Sequence, residues 1–169
     1  MQITTNRFKL IPLKKHHATD RYLSWLHDPE VNETLDTVGR DETIETIEKY
    51  ILSYKNGDIL FGIFSKDGNL HIGNMGLRLF KNSHASIHLM IGDKNFWGLG
   101  VVNECRAKLV EFVFQSLGFN KIVAGCYSIN YPAQLNFIKD GWIMTGVDKK
   151  AINLEGNYID VINFEIRND

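Results

Sequence analysis

The sequence is poor in several things. Of its 169 residues only 2 are cysteine and 3 are proline, and 19 basic residues stand against 20 acidic ones, a net charge of −1. Cys105 and Cys126 lie far apart with no C-x-x-C or Cys/His ligand spacing. That argues against a disulfide scaffold and a zinc site, and no metal is expected. The balanced charge, without a long run of either sign, offers no electrostatic surface for nucleic acid or anionic lipid. No window approaches the roughly 20 apolar residues of a membrane span, and the start, MQITTNRFKLIPLKKHH, has no signal-type apolar core. The expected setting is cytoplasmic, with no membrane and no nucleic acid as partner. Repeats and low-complexity linkers are also missing. A content of 44% apolar and 11% aromatic residues at this length suits one globular domain over residues 1–169.

What is present alternates between two periods. RFKLIPL reads as a first strand, and Ala18, Tyr22, Trp25 and Leu26 recur at helical spacing from about His17 to Leu26. Pro29 disfavours helical geometry at Asp28. A second helix is expected from an N-cap at Asp41, carrying Ile44, Ile47, Ile51 and Tyr54 on one stripe. ILFGIFS and LHIGNMGLRLF read as a hairpin whose turn, Asp67-Gly68 or Gly68-Asn69, supplies positive φ. After a turn at KNSH, ASIHLMI is a third consecutive strand. Val102, Cys105, Leu109, Phe112 and Val113 then mark a helix whose wet face sets Glu104 to pair with Lys108. NKIVAGCY follows as a strand, PAQLNFIKD as a short helix started by Pro132 and closed by Gly141, and NYIDVINFEI as a final strand. The fold class expected is α/β (α+β): a mixed, mostly antiparallel twisted sheet covered by helices on both faces.

The stretch GDKNFWGLGVVNE sets Gly98 and Gly100 in a turn hard against a helix start. Free N–H groups and the positive end of the helix dipole would there share one concavity, which is an anion site. It is not a nucleotide loop of the common kinds. G-x-x-x-x-G-K-[ST] is absent, and the third glycine of G-x-G-x-x-G is Asn103. Glycine spacing alone also admits plain turn punctuation.

The run from Ala85 to Trp142 resembles the acetyl-CoA-binding core of the GNAT acyltransferase superfamily. In that family a strand enters a Q/R-x-x-G-x-G/A loop, a helix follows, and a later Asn precedes a short helix ending in Gly-Phe. Here the loop is Asn95-Phe96-Trp97-Gly98-Leu99-Gly100, the later residue is Asn130 and the ending is Gly141-Trp142. The front half, RFKLIPLKKHHATDRYLSWLHDPEV, looks like the branch holding ribosomal-protein, amino-sugar and polyamine acetyltransferases. The resemblance implies a splay between two central strands. It also implies acetyl-CoA as co-substrate, with its pyrophosphate on the N–H groups of Trp97 to Val101 and its pantetheine beside Leu89, Met90 and Ile91. A backbone N–H near Met90 or Ile91 would stabilise the oxyanion. Asn130 and Phe137 would touch the cofactor from the other side of the splay; the alternative for Asn130 is a turn residue.

Attack on a thioester needs a neutral amine. An alkyl ammonium of pKa about 10.4 lies about 3 units, roughly 4 kcal/mol, uphill at about pH 7.4. Family members often carry a Glu on the strand before the loop; here Ser86 and His88 share one face of that strand, and His88 is the better base. The other reading of His88 is a histidine half-buried against a helix. His84 and His88, about 13 Å apart along a strand, cannot chelate one metal. The position that often holds a Tyr acid is Phe137, which is tolerable because a thiolate of conjugate pKa about 8.5 leaves without a proton. Cys126, mid-strand without a visible base, reads as buried core, so transfer is direct. Trp25, Asn74 and Arg78 fall on segments from which the family builds the acceptor wall. The expected partner is a small-molecule primary amine, such as an amino sugar or its nucleotide, and the protein a monomer or homodimer. A peptide N-terminus, or a catalytically weak acyl-CoA-binding module, is the alternative.

Overall fold

The computed structural model describes residues 1–35, 41–81, 84–154 and 156–168; part of the expected KNSH turn lies outside them. Among the described residues eight strands form one sheet: β1 (Ile3–Thr4), β2 (Phe8–Pro12), β3 (Ile59–Ser65), β4 (His71–Phe80), β5 (His84–Ile91), β6 (Lys121–Tyr127), β7 (Ile143–Leu154) and β8 (Asn157–Arg167). Five α-helices among the same residues accompany them: α1 (Asp20–His27), α2 (Pro29–Asn32), α3 (Ile44–Leu52), α4 (Val101–Gln115) and α5 (Tyr131–Lys139). The spatial order is β1-β2-β3-β4-β5-β6-β8-β7, antiparallel throughout except for β5 and β6. That parallel pair is joined over one face by α4, a strand–helix–strand crossover.

The pairing of β5 with β6 covers only His84, Ala85 and Ser86 against Lys121, Ile122 and Val123. Beyond Ser86 the two strands run on without bonding each other, and this is the splay. On one side of the sheet α4 buries Val101, Cys105, Leu109 and Val113 against Phe61, Ile63, Leu77 and Ile87, with Phe137 of α5 and Phe164 of β8 in the same cluster. On the other, Tyr22, Trp25 and Leu26 of α1 and Ile47 and Ile51 of α3 pack on Leu60 and Phe64 of β3. Strand alternation explains the division, since Leu60 and Phe64 face one way and Phe61 and Ile63 the other.

Several local expectations are corrected. Thr43, not Asp41, caps α3, because its side chain accepts from the Thr46 N–H while Thr46 answers at the Thr43 N–H. Thr19 caps α1, so the stretch from Lys15 to His17 is a separate single turn. The hairpin turn takes the Gly68-Asn69 option, both residues having positive φ. Strand β7 was not expected. It is an edge strand paired only with β8, mostly exposed, so it lacks the buried alternation that marks a strand in sequence.

Candidate active site

The loop after β5 is built in two steps. Asp93 accepts from the Asn95 N–H at 3.0 Å and is ion-paired with Arg21. The N–H groups of Phe96 and Trp97 close a single turn on the carbonyls of Asp93 and Lys94. Gly98 and Gly100 then take φ of 73° and 75°, left-handed values that cost other L-residues about 1–2 kcal/mol. A Cβ on Gly98 would meet no protein atom within 4 Å, so backbone conformation rather than packing calls for glycine there. Gly100 is the N-cap of α4 and supplies no capping side chain. Among the described residues, the N–H groups of Gly98, Leu99, Gly100 and Val101 donate to no other protein group. A row of free donors at a helix start, beside an open cleft, fits a pyrophosphate.

This narrows the expected set. The Trp97 N–H is already bonded to Lys94 and the Asn95 N–H to Asp93, so neither is a free donor. The side chains of Asn95 and Leu99 do not line the cleft, whereas Phe96, Trp97, Gly98, Gly100 and Val101 do. Arg7, which the sequence did not single out, braces the loop from below. Its Nη2 donates to the Leu99 carbonyl at 2.9 Å and its Nε to Glu104 at 2.7 Å. Glu104 thus pairs with Arg7 and Thr5 rather than with Lys108, which pairs with Glu111 instead. Burial alone would raise the Glu104 carboxyl, but these hydrogen bonds hold it below its ordinary range.

From the loop one cleft of about 1690 Å³ runs through the β5/β6 gap to the α1–α3 side of the sheet. Its walls at the gap are Leu89, Met90 and Ile91 on β5 and Gly125, Cys126 and Tyr127 on β6. The Gly92 N–H donates to Ile72 of β4, while the Ile91 carbonyl accepts from the Trp97 indole at 2.9 Å. Strand alternation therefore turns the N–H groups of Leu89 and Ile91 toward the gap and that of Met90 into the ladder with β4. Of the two oxyanion donors expected, Ile91 fits and Met90 does not.

On the far wall, Asn130 caps α5, its Oδ1 accepting from the Ala133 N–H at 3.1 Å, and its residue also lines the cleft. Phe137 lines it too, stacked on Phe164 at 4.7 Å with no hydroxyl nearby on its own side chain. Arg106 anchors this wall. Its side chain is 1% exposed, its Nη2 lies 2.6 Å from Asp140 and 2.7 Å from the Asn136 carbonyl, and its guanidinium sits 4.3 Å from the Phe137 ring. The available signal was position: 106 falls four residues after Val102 and three before Leu109, inside the apolar stripe. Cys126 packs against the core, as its place mid-strand suggested, while bordering the cleft, and burial pushes its thiol up to about 11.

On the acceptor side His88 is exposed to the cleft and its Nε2 lies 2.7 Å from Tyr54 Oη and 3.0 Å from Tyr50 Oη. Ser86, on the same strand face, lies in the still-paired part of β5 and does not line the cleft. Asn74 and Arg78 of β4 do line it. The Asn74 Oδ1 accepts from His71 Nε2 at 2.9 Å, and burial pushes His71 down to about 4. Arg78 pairs with Asp58 and covers the Tyr54 ring at 4.4 Å. Trp25 is a correction: it is 5% exposed, lies outside the cleft, and fills the space a side chain on Gly92 would occupy, with a Cβ there only 2.0 Å from the indole. The carboxylates missing from β5 arrive from elsewhere, since Glu30, Glu33, Asp41 and Glu42 line the cleft.

Comparison with known proteins agrees with this geometry. The family described as acetyltransferase (GNAT) domain matches residues 7–136. An uncharacterized N-acetyltransferase p20 of Bacillus licheniformis is 28% identical over 175 residues, covering 96% of this chain and 93% of its own. Among solved structures, a ribosomal-protein alpha-N-acetyltransferase in complex with coenzyme A superposes with TM-score 0.87 at 17% identity, over 99% of this chain and 98% of that one. An acetyltransferase from Salmonella typhimurium that modifies the N-terminal serine of a 50S ribosomal subunit protein gives 0.85 at 17% identity, over 100% of both. A GNAT-family acetyltransferase of Bacillus anthracis gives 0.83 at 18% identity, over 99% of this chain and 98% of that one. A strand pair splayed beside a glycine-shaped helix start, in a chain matched by the family over most of its length, makes this protein a member of the GNAT acetyltransferase family.

Proposed function

We propose that the protein moves an acetyl group from acetyl-CoA directly onto a primary amine. The observation that carries this is the continuity of one cleft from the free N–H groups at the start of α4, through the β5/β6 gap, to His88. Gly98, Gly100 and Val101 hold the pyrophosphate, and pantetheine lies along Leu89 to Ile91. When bound, acetyl-CoA supplies the thioester carbonyl at the gap. The Ile91 N–H, turned toward the gap, stabilises the oxyanion. His88 takes the amine proton. The thiolate departs without an acid, which suits the phenyl ring of Phe137. Direct transfer is supported by Cys126, whose raised pKa leaves it a protonated and poor nucleophile at neutral pH.

The acceptor that this pocket favours is a small neutral or cationic amine, an amino sugar included. A nucleotide-linked sugar is less favoured, since Glu30, Glu33, Asp41 and Glu42 line the approach and Arg78 is already paired with Asp58. A protein N-terminus is the second reading, supported by the breadth of the cleft and by the fold neighbours that act on ribosomal protein. The test is release of CoA thiol, followed with a thiol reagent, on a panel of diamines, amino sugars and a hexapeptide with a free N-terminal serine. Turnover on one class assigns the acceptor. Tight acetyl-CoA binding with no turnover on any of them would refute the enzyme and leave a binding module.

A further inference from the structure

Three polar groups meet on the acceptor side: Tyr54 Oη lies 2.7 Å from His88 Nε2, and Tyr50 Oη lies 3.1 Å from Tyr54 Oη and 3.0 Å from the same Nε2. We propose that Tyr50, Tyr54 and His88 form a proton relay in which Tyr50 is the catalytic residue that meets the acceptor amine and His88 holds the proton. This rests on the reading of His88 as the base, and it names the path by which the proton arrives.

The hydrogen-bond inventory supports a directional chain. Each phenol carries one proton and can also accept, and a neutral imidazole has one donor and one acceptor nitrogen. An accepting Nε2 has one lone pair; the shorter contact, 2.7 Å from Tyr54, takes it, which leaves the Tyr50 proton for Tyr54. When the amine nitrogen attacks the thioester carbon, the N–C bond forms and the C–S bond breaks. One N–H proton passes to Tyr50 Oη, the Tyr50 proton to Tyr54 Oη, and the Tyr54 proton to Nε2. CoA leaves as thiolate, His88 becomes imidazolium, and both phenols are neutral before and after. Neutrality matters at Tyr54, where burial and then neighbouring Tyr50 raise the phenol well above its ordinary range and exclude a phenolate. The exposed His88 ring returns its proton to water.

The cluster is held from beneath. A Cβ on Gly76, the cross-strand partner of His88, would lie 2.1 Å from its Cε1 and 2.6 Å from Tyr54 Oη, so both groups occupy room that this glycine leaves. Among the described residues, the charged and titratable groups facing the cluster include Arg78 of β4, with Asp58 against it, and Tyr22 of α1, on which Glu42 in the same cleft also acts.

The test compares Tyr50→Phe, Tyr54→Phe, His88→Gln and the Tyr54→Phe/His88→Gln double variant, using the hexapeptide or whichever amine of the panel turns over. Phe keeps both rings and the Arg78 contact. Expected are losses of about tenfold or more in kcat for each phenylalanine variant, an unchanged KM for acetyl-CoA, and a pH profile flattened near neutrality as in His88→Gln. The double variant should be no slower than His88→Gln. Losses within twofold, or full multiplicativity in the double variant, would overturn the relay while leaving His88 as base. An unchanged His88→Gln profile would retire the base itself. Independently of any substrate, ¹H–¹⁵N spectra should show resting His88 as the Nδ1–H tautomer; an Nε2–H tautomer would refute the relay.

Discussion

Arg7 Nε lies 2.7 Å from the Glu104 carboxylate, a contact between residues 97 apart in sequence that fastens the first turn of α4 to the start of β2. The same guanidinium holds the Leu99 carbonyl, so the donor-bearing loop is pinned at both ends of one side chain. Because Arg7 is about half exposed, the pair itself is worth little. Its effect should appear in loop order. Arg7→Met is expected to raise the KM for acetyl-CoA roughly fivefold, about 1 kcal/mol, with little change in melting temperature. Isothermal titration with CoA checks it, and unchanged affinity would separate the brace from the loop.

Gly100→Val is expected to abolish measurable CoA affinity. The left-handed φ of 75° alone costs a branched residue about 1–2 kcal/mol, and the new side chain stands among the donors. Wild-type binding by this variant would overturn the assignment of the loop.

Asp140→Leu should be strongly destabilising, by about 3 kcal/mol, because it leaves the buried Arg106 guanidinium without its partner. Adding Arg106→Met should recover most of that loss, since an apolar pair of similar size avoids burying charge at all. Urea unfolding of the single and double variants measures both steps; equal stability of wild type and Asp140→Leu would show the pair to be idle.

His71 gives the fold a pH dependence of defined sign. Its folded pKa of about 4 lies below its unfolded value of 6.5, so the unfolded chain takes up the proton first. The associated stability is fully present above about pH 6.5 and falls, by about 3 kcal/mol in all, as the pH drops to about 4. His71→Gln should lose this part of the slope, read as the difference in urea midpoint between pH 7 and pH 4.5 in the two proteins. Parallel slopes would mean that His71 does not remain neutral.

Much of the donor side was legible because its causes are local. Two glycines with positive φ before a helix, an Asn ahead of Tyr131-Pro132 and a crossover from β5 to β6 are all properties of short segments. Trp25 and Glu104 were misjudged for one reason: each had a suitable neighbour in sequence, while the fold offered a better one in space. Trp25 settled over Gly92, and Glu104 took Arg7 in place of Lys108. Strand β7 escaped notice because an exposed edge strand shows no buried alternation.

Period, turn chemistry and φ are set within a few residues, so the mixed sheet, its hairpins and the glycine-shaped helix start follow from the order of amino acids. Which side chains share the cleft depends instead on long-range packing. Ser86 and His88 stand on one face of one strand, yet pairing with β6 ends at Ser86, and His88 alone enters the widening gap. There it meets Tyr50, 38 positions away, and Tyr54, 34 away, over the space that Gly76 leaves empty. No periodicity along the chain records such a meeting, because it follows from how α3 and the residues just after it lie over the sheet.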